Sequence, residues 1–252
     1  MEVPQRPAPM KLEIFPVHHI PEVRPGMDLA QLLQDAIQAS GLALQSGDIL
    51  VVTQKVVSKA EGRIIRLAEI EPSGFSESIA RELKKDARMI EVVLRESRRI
   101  VRMRGEVLIC ETHHGFICAN AGVDRSNVED ADSVTLLPKD PDRSAWTLAR
   151  RLGCGVIITD TFGRPWREGL VDTAIGVARV PPLADYRGKP DAYGHPMNVT
   201  VLATVDALAA AAGLVMGKAE SIPAALIRGF PWEESDADIR VLLRDPQKDL
   251  FL

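Results

Sequence analysis

The sequence predicts an α+β fold, a mixed α/β arrangement in which helices and strands do not alternate regularly. Strand-like apolar runs and helical segments follow one another without the strand–helix repeat of a doubly wound sheet or a TIM barrel. No internal repeat or low-complexity linker divides the 252 residues. Neither GxxxxGK[ST] nor GxGxxG occurs, so a P-loop and a Rossmann dinucleotide site are excluded.

One folded domain is expected to cover most of the chain. Residues 1–10 are predicted to be a disordered leader because three prolines precede Met10. Residues 11–245 form the predicted domain, with room for two subdomains, and residues 246–252 form a tail. Hydrophobic residues make up 46% of the sequence, which is enough for a sizeable core without disulfides.

The predicted strands are apolar, β-branched runs bounded by turn residues. In chain order they cover residues 11–17, 47–52 after a turn, 100–110, 115–119, 156–158, 197–202 and 222–227. The runs 100–110 and 115–119 are expected to form a hairpin across the turn Thr-His-His-Gly. Lys59 and Gly62 are expected at a bend, and residues 239–243 are predicted as a final short element.

The predicted helices have apolar residues spaced three and four apart. They cover residues 28–40, 76–84, 87–97, the end of 138–152, and 205–216. Asp28 is placed to cap the first of them, and either Asp142 or Ser144 the fourth. Gly217 is a natural C-terminal cap for the alanine-rich helix before it.

Composition excludes several classes of function. The net charge of −4 leaves no basic field for nucleic acid, and 4% aromatic residues do not make a stacking platform for single strands. No segment reaches the roughly 18 apolar residues of a membrane span, and the N-terminus has no apolar signal-peptide region. The cysteines Cys110, Cys118 and Cys154 lack zinc-site spacing and suit a reducing cytoplasm.

Residues 155–169 carry the strongest chemical signal. A buried strand at Val156–Ile158 is followed by Asp160 and Thr161 and then by a predicted glycine turn at Gly163. A carboxylate and a hydroxyl on adjacent residues suit Mg²⁺ or Mn²⁺, and ligand sites form at the carboxyl ends of sheet strands. The alternative is an ordinary helix cap or turn.

Two further segments follow the same pattern of a strand and then polar residues. Lys55 and Lys59 come after the apolar run 49–52 and could neutralise phosphates, or they could be solvated surface charges. Asp124 and Asn127 lie on a tight loop, where small residues allow the backbone to approach a ligand. The alternative for that loop is a turn in which Asp and Asn bond their own backbone.

Other polar residues give weaker signals. Glu220 could complete a metal shell or be an ordinary loop glutamate. Arg164 and Arg167 could clamp anions or lie free on the surface. The histidine pairs 18–19 and 113–114 are better explained as solvated turns. No Ser/His/Asp or Cys/His set supports a covalent nucleophile.

Together these segments supply carboxylates for a divalent cation and lysines for phosphate charge. Asp124, Asp160 and Glu220 are the candidate cation ligands, and Lys55 and Lys59 the candidate phosphate partners. This set is typical of nucleotide-driven phosphoryl transfer.

Five motifs in register resemble one family. They are GDILVVTQKVVSKAEGR, NAGVDRSNVE, GVIITDTFGRPWREG, AIGVA and GLVMGKAESIPAALIRG. In this order they resemble the coenzyme F420-0:L-glutamate ligase family, the gamma-glutamyl ligase of F420 biosynthesis, from about residue 12 to residue 243. The tail resembles the join to a flavin-binding reductase-like domain in bifunctional bacterial forms. The chain is thus expected to be a standalone ligase or such an N-terminal domain.

The resemblance implies an activity. GTP would activate the terminal carboxylate of coenzyme F420-0 as an acyl phosphate, and the amino group of L-glutamate would displace phosphate. One or more γ-linked glutamates would be added. The resemblance further implies a Mg²⁺ or Mn²⁺ requirement, stimulation by K⁺, a fold that is neither P-loop nor ATP-grasp, and an intertwined homodimer in the cytoplasm.

The resemblance also assigns site residues by motif. It makes Asp124 and Asp160 catalytic, and Asp124, Asp160, Thr161 and Glu220 metal ligands. The implied nucleotide contacts are Ile20, Pro21, Glu22, Val23, Gln54, Lys55, Lys59, Asn127, Met216, Gly217 and Ile222. Because Gln54 and Lys55 replace the small hydroxyl residues of some members, their contacts are expected through the backbone.

Two other functions stay open on the residues alone. One is a nucleotide- or deazaflavin-binding module without catalysis, which would have no need of several converging carboxylates. The other is an amide ligase with a different acceptor, such as a folate-like molecule or a peptide.

Overall fold

A computed structural model describes residues 11–126 and 130–249. The strands in chain order are β1 (Glu13–Pro16), β2 (Ile49–Thr53), β3 (Ile64–Arg66), β4 (Ser97–Arg104), β5 (Val107–Thr112), β6 (Ile117–Ala119), β7 (Ser133–Thr135), β8 (Gly155–Arg164), β9 (Arg167–Ala178), β10 (Leu183–Asp185), β11 (Val201–Ala203) and β12 (Ala224–Arg228). The helices are α1 (Leu29–Ala39), α2 (Gln54–Ala60), α3 (Gly74–Leu83), α4 (Ala87–Arg95), α5 (Pro141–Leu152) and α6 (Thr204–Met216).

The main lobe is built on a five-stranded mixed sheet in the order β1-β12-β2-β8-β9. β2 and β8 are parallel, with Ile49 opposite Gly155 and Thr53 opposite Thr159, and the other neighbours are antiparallel. The apolar residues of β2 and β12 and the run Val156–Ile158 of β8 are completely buried, as expected for strands covered on both faces. α5 and α6 both pack against β9.

A second lobe has its own hydrophobic core. It contains α3, α4, the β3–β7 pair and the three-stranded sheet β4-β5-β6. Leu67, Leu83, Ile90 and Leu108 are completely or almost completely buried at its centre. The α+β class predicted from the sequence is therefore confirmed.

Several local predictions are confirmed. Asp28 caps α1 by accepting a hydrogen bond from the Gln31 N–H. The strand ending at Val52, the alanine-rich helix and its cap Gly217 also lie where the sequence places them.

The cysteines are free and buried. Within the described residues, no helix is long and apolar enough to cross a bilayer.

The largest correction concerns the segment after Ile158. The sequence predicts a turn at Gly163, whereas β8 continues to Arg164 and pairs with β9 as a long hairpin. Asp160 and Thr161 therefore lie within a strand, opposite Thr173 and Asp172. The local sequence does not predict a strand for this polar part of β8. Pairing with β9, which itself has no apolar run at its start, stabilises it as a strand.

Smaller corrections follow from turns and caps. The predicted strand 100–110 is interrupted by a turn at Gly105, so that β4 and β5 form a first hairpin. The second hairpin, β5 with β6, crosses the predicted turn Thr-His-His-Gly. Asp140, not Asp142 or Ser144, caps α5 because Pro141 begins the helix. Lys59 lies within α2 rather than at a bend.

The last two corrections shorten predicted elements. Of the predicted strand 197–202, only Val201 and Leu202 belong to a strand, namely β11, which ends at Ala203 and pairs with β10. Residues Ile239–Leu242 form a 3-10 turn.

Candidate active site

A cleft of about 360 Å³ lies where β2 ends and β8 passes beside it. Its walls come from the segment before α1, the start of α2, the middle of β8 and the loop after α6. The lining residues are Ile20, Pro21, Glu22, Val23, Thr53, Gln54, Lys55, Val56, Lys59, Thr159, Asp160, Thr161, Asp172, Met216, Gly217, Lys218, Ser221, Ile222 and Pro223.

The parallel pairing of β2 and β8 explains this meeting of polar residues. Thr53 lies opposite Thr159, so the residues that follow each of them reach the same edge of the sheet. Gln54 and Lys55 start α2 there, while Asp160 and Thr161 continue along β8. This edge is where open sheets place ligands.

Three lysines each pair with a carboxylate at the cleft. Lys55 Nζ lies 2.7 Å from Asp124 Oδ2 and also contacts Ser126. Lys59, which is buried, pairs with Glu22. Lys218 Nζ lies 2.8 Å from Asp172 Oδ1. Positive groups therefore surround the cleft, each held by an acidic partner.

Asp160 differs from these carboxylates, because among the described residues no lysine or arginine forms an ion pair with it. Burial above all, together with the negative charges of Asp124 and Asp172, raises the pKa of Asp160 to about 6, against a hydrogen bond from the Thr161 backbone and the charge of Lys55. An unpaired carboxylate near other acids stabilises a bound cation.

Asp124 has the opposite balance. Burial acts to raise its pKa, but hydrogen bonds from Lys55 and from Ser126 hold that pKa below the ordinary value. The backbone of Asp124 pairs with Thr135 in a single antiparallel bridge. Asp124 thus stays ionised on the side of the cleft that the second lobe provides.

The loop that precedes Asp124 has an unusual backbone. Asn120, Ala121 and Gly122 all have positive φ, at 51°, 52° and 73°. A Cβ on Gly122 would lie 2.6 Å from the Leu137 side chain. The small residues therefore permit close packing on the core, which corrects the expectation that they make room for a ligand.

The remaining predicted residues separate into three groups. Most line the cleft, namely Ile20, Pro21, Glu22, Val23, Gln54, Lys55, Lys59, Met216, Gly217, Ile222, Asp160 and Thr161. Asp124 adjoins it through Lys55. Asn127 lies outside the described residues.

Glu220 does not line the cleft. Its carboxylate accepts hydrogen bonds from the backbone N–H groups of Lys218 and Ala219, both 2.9 Å long, and the bond from Ala219 is the main cause of its lowered pKa. Arg164 also has a local role, since its guanidinium donates to the carbonyl of Glu168 within the exposed hairpin turn. Arg167 is exposed in the same hairpin.

Two charged residues of the cleft were not predicted from the sequence. Asp172 and Lys218 join Thr161 in a hydrogen-bonded group. The missed signal is the pairing of two polar runs, TDTFGR and REGLVDT, across the Pro-Trp turn. Reading them as a hairpin would have placed Asp172 opposite Thr161.

The residues present fit a divalent cation whose shell is completed from outside the protein. Asp160, Thr161 and Asp124 supply hard oxygens, and the buried Thr159 hydroxyl at the cleft wall has no hydrogen-bond partner among the described residues. In the described part of the chain, no three His, Cys, Asp or Glu residues cluster closely enough to hold an ion by themselves. Mg²⁺ usually binds through one or two carboxylates together with substrate phosphates and water.

Comparison with known proteins shows the family of the chain. The sequence profile of the family described as F420-0:Gamma-glutamyl ligase matches residues 18–229. The chain is 47% identical over 251 residues to Coenzyme F420:L-glutamate ligase of Methanopyrus kandleri, covering 95% of this chain and 97% of the relative. It is 45% identical to the protein of the same name from Methanothermobacter thermautotrophicus, with 96% and 99% covered.

A third relative of that name, from Archaeoglobus fulgidus, is 42% identical, with 88% of this chain and 89% of the relative covered. The match thus extends over both lobes and over every wall of the cleft. The chain belongs to the F420-0:gamma-glutamyl ligase family.

Proposed function

We propose that this protein is a ligase that joins L-glutamate to coenzyme F420-0 at the expense of GTP. Its family and the names of its relatives support the ligation of glutamate. The observation that carries the nucleotide part is the cleft itself, which Lys55, Lys59 and Lys218 line together with Asp160. Lysines beside a cation site suit a triphosphate.

The proposed reaction has two steps. An oxygen of the terminal carboxylate of F420-0 bonds to the γ-phosphorus of GTP as the bond to the β–γ bridging oxygen breaks, which gives an acyl phosphate and GDP. The amino nitrogen of glutamate then bonds to the acyl carbon. The bond from that carbon to the phosphate oxygen breaks, inorganic phosphate leaves, and the nitrogen gives a proton to water.

The chain's own residues would position and neutralise the reactants. Asp160, Thr161 and Asp124 would hold Mg²⁺ or Mn²⁺, which when bound supplies positive charge against the phosphate oxygens. Glu220 would join them only if its carboxylate released the Lys218 and Ala219 amides. Lys55 and Lys59 would offset the remaining phosphate charge, which is the main electrostatic task in phosphoryl transfer.

Gln54 is expected to act through its backbone. Its side chain is buried, and its Oε1 accepts a hydrogen bond from Ser58 within α2. The side-chain amide is thus held inside the protein, which leaves the main chain of Gln54 facing the cleft.

The proposal predicts that Asp160→Asn removes ligation while the fold persists. Losing a negative cation ligand should lower the rate about 1,000-fold, because a bound metal contributes several kcal/mol of transition-state stabilisation. The assay combines protein, GTP, Mn²⁺, L-glutamate and F420-0, in K⁺ and in Na⁺ buffer, and measures the glutamyl mass increment.

Asp35→Asn is the matched control, since Asp35 is exposed on α1 and contacts Gln31. Circular dichroism verifies the fold of both variants. Near-normal ligation by Asp160→Asn would contradict the cation assignment. A wild-type protein that binds GTP but forms no product would instead be a binding module, and product with only another acceptor would indicate a different amide ligase.

We also propose that the protein acts as a homodimer. Four strongly exposed apolar side chains lie on the β8–β9 hairpin and in the excursion between β10 and β11, namely Trp166, Leu170, Tyr193 and Val199. Large exposed apolar groups of this kind often mark contact surfaces. Light scattering coupled to gel filtration would distinguish one copy from two.

A further inference from the structure

Lys218, Asp172 and Thr161 form a closed group of hydrogen bonds in the cleft. The Lys218 ammonium donates to Thr161 Oγ1 and to Asp172 Oδ1, both at 2.8 Å. Thr161 Oγ1 donates its own proton to Asp172 Oδ1 at 2.6 Å. The Asp172 side chain is 4% exposed, whereas that of Lys218 is 62% exposed. A solvent-exposed cation therefore neutralises a buried carboxylate.

Helix α6 is shaped to accommodate that carboxylate. A Cβ on Gly213 would lie 2.4 Å from Asp172 Oδ2. Glycine within a helix costs about 1 kcal/mol relative to alanine, so the helix gives up stability where Asp172 needs space. The position of the carboxylate is thus fixed by two elements, β9 and α6.

We propose that Lys218 is a placeholder cation, which occupies the oxygens of Asp172 and Thr161 in the metal-free protein and competes there with a divalent ion. Asp172 thereby becomes a further positioning residue of the site, beyond the ligands that the family motifs imply. The inference deepens the proposed function and rests on it.

Competition follows from the charges and donor atoms involved. Lys218 uses lone pairs of Thr161 Oγ1 and of Asp172 Oδ1, which are hard oxygens that Mg²⁺ and Mn²⁺ also prefer. Its ammonium repels a second cation at the same place. When a nucleotide is present, phosphate oxygens offer the ammonium another acceptor, so Lys218 opposes metal binding alone and favours nucleotide binding.

The test uses Mn²⁺ alone as the probe and Lys218→Met as the variant. Unbound Mn²⁺ is measured by electron paramagnetic resonance during titration of the intact protein, without nucleotide or substrate. Lys218→Met should bind Mn²⁺ about tenfold more tightly, as expected for removing one charge near a divalent ion in a solvent-filled cleft. Asp172→Asn should bind it about tenfold more weakly.

Nucleotide binding supplies a second readout of opposite sign. Lys218→Met should bind GTP, measured calorimetrically without metal, several-fold more weakly than the wild type. Lys11→Met is the control, because Lys11 also forms an ion pair, with Glu13, but on an exposed strand end. Lys11→Met should change neither the affinity for Mn²⁺ nor the affinity for GTP. Thermal unfolding verifies that each variant is folded, which is expected for Lys218→Met because the side chain is largely exposed.

The proposal is overturned if Lys218→Met binds Mn²⁺ no more tightly than the wild type, including the case in which neither binds it. It is also overturned if Asp172→Asn, though folded, binds Mn²⁺ as the wild type does. These titrations need neither F420-0 nor glutamate. If ligation fails while Lys218→Met still binds Mn²⁺ more tightly than the wild type, the proposed function is rejected and the placeholder role of Lys218 stands.

Discussion

At the residue scale, many carboxylates of this molecule are held in position by defined cationic partners. Asp86 is an example outside the cleft. It connects α4 to the segment that carries Asp124. It accepts hydrogen bonds from the Arg88 side chain at 2.8 Å and from Arg125 at 3.0 Å, and it caps α4. The hydrogen bond from Arg88, above all, lowers the pKa of Asp86 to about 2.

This lowered pKa predicts a pH-dependent stability difference for Asp86→Asn. Since the pKa of Asp86 in the folded protein lies below its ordinary value of 3.8, the ionised group stabilises the fold above about pH 4, and that contribution disappears as the pH falls through 2. Asparagine keeps the helix cap but not the charge. The variant should lose about 2 kcal/mol of unfolding free energy at pH 7.

Urea unfolding between pH 7 and pH 2 measures this difference. The difference in unfolding free energy between Asp86→Asn and the wild type should disappear between about pH 4 and pH 2. The exposed control Asp35→Asn should show no comparable difference from the wild type. A gap that stays constant with pH would show that the loss comes from packing, not from the charge of Asp86.

Single residues of the cleft differ in how far the sequence predicts their positions. Residues that follow apolar runs, such as Lys55 and Asp160, could be placed near a site because a buried strand must end in polar groups at a sheet edge. Asp172 and Lys218 could not, because the position of each depends on a partner distant in sequence. The sequence also does not predict the local hydrogen bonds of Glu220 and Arg164, since these depend on backbone conformation.

At the element scale, the packing of α6 on β9 predicts an inverted effect for a helix substitution. Gly213→Ala would ordinarily stabilise a helix by about 1 kcal/mol. Here the added methyl would meet the buried Asp172 carboxylate at 2.4 Å, so we expect a loss of about 1–3 kcal/mol from overpacking.

Gly74→Ala is the matched control, because Gly74 begins α3 and a Cβ there would meet no atom within 4 Å. It should be neutral or stabilising in the same thermal unfolding measurement. If Gly213→Ala proved as stable as Gly74→Ala, the space around Asp172 would be looser than the structure shows.

Elements with a strong periodic pattern could be predicted from the sequence, and those defined by pairing could not. α1, α6 and β2 show the apolar spacing or runs that their burial requires. The outer half of β8 is at most partly buried and the start of β9 is exposed, and neither has an apolar run. Their mutual hydrogen bonds therefore define them as strands. The cap of α5 moved to Asp140 because the proline at the first helical position fixes where the helix begins.

At the scale of the whole molecule, the site forms where the two lobes meet. The main sheet provides Asp160 and Thr161, while the second lobe provides Asp124, joined to the main lobe by its ion pair with Lys55. The sequence indicated an α+β chain with several converging loops. It could not indicate the sheet order, in which the last strand, β12, lies between β1 and β2, because that order depends on long-range pairing.

The central claim is that this cleft couples GTP cleavage to amide formation through an acyl phosphate. The most direct measurement supplies F420-0 with both terminal carboxylate oxygens labelled with ¹⁸O, together with GTP, Mn²⁺ and L-glutamate, and follows the label by mass spectrometry. One labelled oxygen should appear in inorganic phosphate and the other should stay in the new amide, with GDP and glutamyl product formed in equal amounts. Glutamyl product accompanied by unlabelled phosphate would contradict the claim.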